Sequence, residues 1–146
     1  MLGNAGLGWH QENTLHVTRL IVSGVFDRIP RLKLIVGHLG EGLAFHLHRG
    51  DRLLNPLTDL PKPISQYLGE HVWYTTSGYF FDDQFELARA MFGDDRIMFS
   101  VDYPFEDTRE AADWFKRLDL PSAVREQMGH GTADRLLRLP IPVSSG

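Results

Sequence analysis

The stretch LKLIVGHLGE, residues 32–41, decides the fold class. An apolar run of this length indicates a strand buried on both faces, and helical patterns lie before and after it, so the sheet is expected to be parallel. A second run of the same kind, RIMFSVDYPFE at residues 96–106, ends in a proline-containing turn. Chemistry in parallel sheets lies where the strands end. His38 and Asp102 are therefore expected at one rim of the sheet, within reach of each other.

The first half of the chain predicts two long helices around that strand. Asn13 is expected to cap a helix that runs to about Arg28, where Pro30 prevents continuation. The residues before it, 1–11, are glycine-rich and are expected to form a loop. A second helix is predicted from about Gly40 to Leu54. A loop punctuated by prolines follows, with its prolines at Pro56, Pro61 and Pro63.

The second half repeats the alternation of strand and helix. Residues 72–76 are apolar and β-branched and predict a strand. The next helix is expected to be capped by Asp82 or Asp83 and to stop at Gly93. Asp107 is expected to cap a later helix that reaches about Leu118. Two short helices, near residues 122–128 and 132–139, are predicted to close the chain.

This order predicts an α/β fold of consecutive βα units, with residues 1–146 as a single domain. Three parallel strands cannot close a barrel, however, and both edges of such a sheet stay open. We therefore expect a partner or a missing portion of the protein to cover them.

Composition excludes several classes of protein. The chain has 146 residues, a net charge of −4 and no cysteine. No basic cluster suggests a nucleic-acid surface, and no segment approaches the 18 apolar residues of a membrane span. Without cysteine there is neither a disulfide nor a thiolate zinc site, which suits the cytoplasm. An ordinary globular protein of that compartment is expected.

Four motifs carry a resemblance that covers nearly the whole chain, from about Trp9 to Leu139. They are LIVSGVFDRIP at 20–30, GHLGEG at 37–42, SVDYPFE at 100–106 and GTADRLL at 131–137. In this order and spacing the chain resembles the C-terminal half of the amidohydrolase-2 family of metal-dependent TIM barrels. Among the members of that family, the chain resembles the aromatic acid decarboxylases, such as γ-resorcylate and 2,3-dihydroxybenzoate decarboxylase. The resemblance implies a partial (β/α)8 barrel containing strands six to eight.

The resemblance also implies catalytic roles. His38 would be the active-site histidine at the end of strand six, and Glu41 would orient it and raise its basicity. Asp102, at the end of strand eight, would ligate a divalent ion, Zn or Mn, and protonate the aromatic carbon that loses CO2. The ion would chelate the carboxylate and the neighbouring phenolic oxygen of a small aromatic acid.

Other residues are expected to bind substrate. Arg49 matches an arginine found near the active site or at a subunit contact in some family members. Phe80, Tyr103 and Phe105 are predicted to contact the aromatic ring. Tyr79, Phe80 and Phe81 follow a strand end and suit either a pocket wall or ordinary packing.

The remaining histidines are expected to have no role in the site. His46 and His48 lie two apart on a predicted helix, so their side chains point in different directions. The others are expected in loops or on helix faces, either solvated or at the edge of the core: His10, His16, His71 and His130.

The family's other metal ligands, a Glu-x-His or His-x-His pair on strand one and a histidine on strand five, have no counterpart in this sequence. We therefore expect the chain alone to bind Zn or Mn weakly, and to act as a homo-oligomer or with an N-terminal half. The leading functional hypothesis is decarboxylation of a hydroxylated aromatic acid. A hydrolase of the same family that cleaves a lactone or an amide, and a non-catalytic half-barrel, remain alternatives. Metal content separates the enzymes from the half-barrel.

Overall fold

The computed structural model describes residues 2–139 and contains a three-stranded parallel sheet with the order β1-β2-β3. The strands are β1 (Leu34–Val36), β2 (Val72–Thr75) and β3 (Ile97–Met98). Val36 pairs with Tyr74, and Tyr74 pairs with Ile97. The predicted α/β class and the parallel direction of the strands are confirmed. Each strand is shorter than expected, because the chain leaves the sheet before His38 and well before Asp102.

Eight α-helices surround the sheet in the described part of the chain. They are α1 (Gly8–Val22), α2 (Val25–Arg28), α3 (Leu43–Leu54), α4 (Ile64–His71), α5 (Asp82–Phe92), α6 (Thr108–Arg117), α7 (Ser122–Glu126) and α8 (Thr132–Leu137). Short 3-10 turns lie at His38–Gly40, Asn55–Leu57 and Asp94–Arg96, and one π-helical turn lies at Gln127–Gly131. None of the described helices is long and apolar enough to cross a membrane.

The core lies between the helices and one face of the sheet. Side chains alternate along a strand, so Val36, Val72 and Tyr74 point into this core and are buried. The Tyr74 ring stacks on Phe92 of α5 with 3.7 Å between ring centroids. The opposite face is less covered, since Ile35 is 42% exposed. One face of the sheet is therefore packed and the other is only partly covered.

The long first helix predicted from Asn13 to Arg28 is wrong in two respects. The helix begins at Gly8, so Asn13 lies inside α1 rather than at its cap, and only residues 2–7 of the expected loop precede it; Met1 lies outside the described residues. Gly24 has a φ of +71°, which ends the helical path and separates α1 from α2. A glycine within an apolar stripe was enough to break the predicted helix.

The proline-rich loop contains a helix that the sequence did not predict. Pro63 caps α4, and the eight residues after it form the helix. Proline is compatible with a helix start, where no backbone N–H is needed, so three prolines do not exclude a helix after the last one. The helix predicted from Gly40 begins only at Leu43, because Gly40 and Glu41 both have positive φ.

The helix caps of the second half are partly as predicted. Asp107 accepts hydrogen bonds from the backbone N–H groups of Arg109 and Glu110, which confirms its capping role. Gly93 ends α5 with a φ of +89°, also as predicted. Neither Asp82 nor Asp83 caps α5, however. Asp82 instead accepts a hydrogen bond from Trp114 Nε1 at 2.8 Å and thereby ties α5 to α6.

Candidate active site

The turn after β1 has an unusual backbone conformation. His38, Leu39 and Glu41 have φ values of +51°, +52° and +59°, and Gly40 between them has +80°. Residues other than glycine rarely adopt positive φ values, because their Cβ crowds the backbone carbonyl. The tight path turns His38 and Glu41 towards each other instead of letting a helix continue. Strain of this kind is concentrated at functional sites.

His38 and Glu41 form an imidazole–carboxylate pair. His38 Nδ1 lies 2.8 Å from Glu41 Oε1, and the Glu41 side chain is only 1% exposed. A carboxylate at Nδ1 favours the tautomer in which Nδ1 carries the proton. Nε2 is then unprotonated and lies on the opposite side of the ring. The geometry is that of an orienting carboxylate behind a base.

Asp102 lies on the other side of the same imidazole. Its Oδ2 is 3.6 Å from His38 Nε2, which confirms the predicted proximity of the two strand-end residues. Asp102 also has a positive φ, +79°, and its carbonyl accepts a hydrogen bond from Phe105 N, which closes the turn. Among the residues that the structure describes, no lysine or arginine pairs with this carboxylate.

Buried Thr76 fixes the approach to Asp102. The Thr76 hydroxyl donates to the carbonyl of Ser100 at 2.8 Å and accepts from Ser100 N at 2.9 Å. These two side-chain hydrogen bonds replace the backbone–backbone hydrogen bonds of the sheet beyond Met98, where β3 ends. Gly78 then passes so close that a Cβ there would lie 3.5 Å from Asp102 Oδ2 and 3.7 Å from His38 Cδ2. The ends of β2 and β3 are thus held together at the rim that carries His38.

Helix α1 contributes side chains that sequence reasoning missed. His10 Nδ1 hydrogen-bonds Glu41 Oε2, and Asn13 Nδ2 donates to Glu41 Oε1 at 3.0 Å. Thr14 Oγ1 accepts from Gly42 N at 2.9 Å, which attaches the helix to the turn. These residues follow the same helical spacing as buried Val17, so a helix start at Gly8 would have predicted their common face.

Aromatic rings surround part of this cluster. The Tyr79 ring centroid is 5.4 Å from that of His10 and 5.9 Å from that of His38. Phe80, which the sequence placed in the substrate site, packs instead against Trp114 at 5.6 Å. Tyr79 is therefore the member of the Tyr79–Phe81 trio that contacts the histidines.

The other predicted substrate residues lie further from the cluster. Tyr103 and Phe105, in the turn after Asp102, are 80% and 84% exposed. Arg49 lies on α3 and lines an apolar pocket together with Leu47, Leu53 and other side chains. Neither His38 nor Asp102 lines that pocket, so the structure does not bring Arg49 to the cluster.

The remaining histidines are not in contact with this cluster. His46 and His48 lie on α3, as expected. His71 is buried and stacks on Phe26 at 4.6 Å, and His16 and His130 are exposed beside Glu12 and Asp134.

Electrostatics favours a charged His38–Glu41 pair. The hydrogen bond that His38 donates to Glu41 raises the pKa of His38 above its ordinary value, with burial acting in the opposite direction and the charge of Asp102 adding to the rise. Burial alone would raise the pKa of Glu41, but hydrogen bonds from His38, Asn13 and His10 together lower it. Burial also raises the pKa of the Tyr79 phenol. His38 therefore binds its proton more tightly in this site than a histidine does in water.

The cluster suits proton transfer and the binding of a divalent cation. Carboxylate and imidazole are ligands for Mn and Zn, and Asp102 is a half-exposed carboxylate with only the imidazole of His38 as an ionic partner in the described residues. It therefore fits the role of one metal ligand. The ligand atoms of His10, His38 and Glu41 form a second group, within 4.8 Å of one another.

Comparison with known proteins gives the family. The family model described as amidohydrolase matches residues 2–139. The chain is 40% identical over 134 residues to gamma-resorcylate decarboxylase of Polaromonas sp. (strain JS666), covering 88% of this chain and 41% of that protein. The chain belongs to the amidohydrolase family.

Solved structures agree. A dihydroxybenzoic acid decarboxylase of the same Polaromonas strain, with bound manganese and the inhibitor 2-nitroresorcinol, superposes with a TM-score of 0.88 at 37% identity, covering 92% of this chain and 42% of that one. A 2,6-dihydroxybenzoate decarboxylase complexed with 2,6-dihydroxybenzoate gives a TM-score of 0.85 at 37% identity, over 93% and 44%. The chain thus spans less than half the length of the relatives it matches.

Proposed function

We propose that this chain forms the part containing strands six to eight of a metal-dependent decarboxylase for hydroxylated aromatic acids, with residues 1–146 as one domain. The observation that carries the proposal is the pair of strand-end residues, His38 Nε2 and Asp102 Oδ2, 3.6 Å apart with Glu41 behind the imidazole. The decarboxylases described above support it as relatives. Because the chain spans only 41% of the Polaromonas relative, activity, substrate and partners of the whole protein all belong to the proposal.

Asp102 would be this chain's ligand to the family's divalent ion, with the other ligands supplied from outside these residues. When bound, the ion would supply positive charge that stabilises the negative charge of the acidic substrate and of its ring as CO2 leaves. Manganese is the first choice of metal, because a solved relative holds it and because hard oxygen ligands suit it, with zinc as the second.

The residues of this chain would carry the proton steps. Asp102, in its protonated form, would give its proton to the ring carbon as the bond to the carboxylate breaks. CO2 leaves, and the electron pair of that bond forms the new C–H bond. His38, oriented by Glu41, would hold the proton of a phenolic hydroxyl and return it at the end of the cycle.

Aromatic side chains at the rim would bind the substrate ring. Tyr79 already borders His38, and the exposed rings of Tyr103 and Phe105 project from the turn that carries Asp102. Phe80 would support these rings from behind rather than contact the substrate, since its own ring packs on Trp114. Arg49 is better suited to a subunit contact than to the substrate, given its separate pocket.

The open edge of β1 would receive the rest of the barrel. A groove runs between α1 and β1, lined by Val17, Leu20 and Ile35 and including His38 and Glu41. A strand added there in parallel would deliver its carboxyl end next to His38. The partner is an N-terminal half of the barrel, whether alone or within a homo-oligomer, and the proposed location is the cytoplasm.

A chimera tests this function directly. The matched segment of the Polaromonas decarboxylase is replaced by residues 2–139 of this chain, and release of CO2 from 2,6-dihydroxybenzoate is measured. We expect turnover, and we expect His38→Asn and Asp102→Asn each to lower kcat by at least about 100-fold, since general acid–base groups contribute on that scale. The matched controls, His48→Asn and Asp113→Asn, change exposed side chains and should leave kcat unchanged.

Two results would count against the proposal. A folded chimera that binds manganese but releases no CO2 would favour the non-catalytic interpretation. Equal turnover in the His38→Asn and control variants would remove His38 from the mechanism.

A further inference from the structure

Glu41 is a buried carboxylate whose two oxygens each face an imidazole. Oε1 lies against His38 Nδ1, and Oε2 lies against His10 Nδ1, while the side chain is 1% exposed. Neither a lysine nor an arginine among residues 2–139 pairs with Glu41. Removal of a carboxylate from water is costly unless it is paired, so this anion depends on the two histidines and on Asn13.

Two imidazoles and one carboxylate are also a ligand set that proteins use for zinc. Each Nδ1 has its lone pair or its proton directed at Glu41, and all three ligand atoms fall within 4.8 Å. One divalent cation can replace the two N–H protons, with both carboxylate oxygens and both Nδ1 atoms around it. Asn13, which donates to Oε1, would hold the carboxylate in place as an outer partner.

We propose that His10, His38 and Glu41 form a zinc-class cation site that belongs to this chain alone and is separate from the metal position of Asp102. The site uses the Nδ1 side of His38, whereas Asp102 lies 3.6 Å from the Nε2 side. It departs from our expectation that the chain alone binds zinc weakly, because the sequence did not place His10 beside Glu41. The proposal does not depend on the chain being part of a decarboxylase.

A regulatory consequence follows, and this consequence rests on the proposed function. Zinc at this site coordinates Glu41 and the Nδ1 atom of His38. The proton step requires these two groups as a hydrogen-bonded pair. Excess zinc should therefore inhibit the chimera although manganese remains bound, and His10→Gln should reduce that inhibition.

Titration of the metal-free chain with Zn²⁺ by calorimetry is the test. We expect one site per chain, a loss of affinity of at least about 10-fold in His10→Gln and in Glu41→Gln, and a smaller loss in Asp102→Asn, whose carboxylate lies on the Nε2 side of His38 as an outer partner. His16→Gln is the matched control, because His16 is exposed on the same helix and lies beside Glu12 at 3.4 Å. Circular dichroism shows whether each variant is folded, and His10→Asn is a second variant in case His10→Gln is not.

A spectroscopic measurement needs no variant. Co²⁺ in place of zinc should give the visible absorption bands of a four-coordinate site with nitrogen and oxygen ligands. Absence of zinc binding, affinity that depends on His16 but not on His10, or a larger loss of affinity in Asp102→Asn than in His10→Gln would each overturn the proposal. A larger loss in Asp102→Asn would still leave the decarboxylase proposal intact, so the two fail separately.

Discussion

At the scale of single residues, the site depends on positions that the sequence identifies and on conformations that it does not. A polar residue after an apolar run predicted His38 and Asp102, and parallel strands bring their ends to one rim. The positive φ values of His38, Glu41 and Asp102 could not be predicted, because only tertiary contacts stabilise them. His10 was missed because its role depends on where α1 begins.

Gly40 makes the turn possible, so Gly40→Ala should be strongly destabilising. Gly40 has a φ of +80°, and an added Cβ would lie 2.7 Å from Tyr74 Cδ1. We expect a loss of about 2–4 kcal/mol in the free energy of unfolding, from backbone strain and overpacking together. Urea denaturation measures it.

Gly50→Ala is the matched control for that substitution. Gly50 lies within α3 and has no heavy atom within 4 Å of the added Cβ. Alanine is the better helix former by about 0.5–1 kcal/mol, so this variant should be more stable than the natural chain. Equal effects of the two substitutions would contradict the structure of the turn.

The His38–Glu41 pair should make stability depend on pH in a defined direction. The pKa of His38 is raised, so its contribution is complete below about 6.5 and is lost as pH rises through the folded-state value. The pKa of Glu41 is lowered, so its contribution is present above its ordinary value and is lost as pH falls through the folded-state value. Stabilisation by the pair is therefore greatest between the ordinary pKa of Glu41 and the ordinary pKa of His38.

Glu41→Gln should lower the pKa of His38, which NMR titration of the imidazole measures. The difference in unfolding free energy between the natural chain and Glu41→Gln should shrink above the pKa of His38. Glu12→Gln, an exposed change on α1, is the control and should leave the pKa of His38 where it is. An unchanged pKa of His38 in Glu41→Gln would show that the carboxylate does not hold the proton on the imidazole.

At the scale of elements, apolar runs predict the three strands and apolar stripes predict most helices, while local exceptions set their ends. Gly24 divides the first helix, and α4 begins directly after a proline of the predicted loop. β3 contains only two residues, because beyond Met98 the Thr76 hydroxyl, rather than the backbone of β2, hydrogen-bonds to the Ser100 backbone. Side-chain hydrogen bonds of this kind leave no periodic signal in a sequence.

Thr76→Val should loosen the rim between β2 and β3. Valine keeps the shape of threonine but leaves the N–H and C=O of Ser100 without the Thr76 hydroxyl, in a position that is fully buried. We expect a loss of about 1–3 kcal/mol in unfolding free energy, the cost of unsatisfied buried polar groups. Chemical denaturation measures it.

Thr58→Val is the control, because its hydroxyl donates only to the carbonyl of Asn55 in a half-exposed turn. That change should stay within about 0.5 kcal/mol. If both valine variants behaved alike, the Thr76 hydrogen bonds would not be what joins the strand ends.

At the scale of the whole molecule, the sheet has a packed face and a partly covered face, and no strand among the described residues pairs with the outer edge of β1 or β3. Ile35 on the partly covered face and Leu20 beside β1 are both more than a third exposed. The sequence predicted that three strands cannot close a barrel, and the match to less than half the length of the relatives agrees with this.

We propose that Asp102 and His38 form half of a metal site and active site that an N-terminal half-barrel completes. The manganese content, after dialysis, of this chain co-produced with the N-terminal portion of the Polaromonas decarboxylase tests this proposal. We predict association, about one Mn per pair of pieces, little Mn on the chain alone, and loss of Mn in Asp102→Asn but not in Asp113→Asn. Failure of the pieces to associate, or manganese retained equally in the Asp102→Asn assembly, would show that Asp102 does not belong to such a divided metal site.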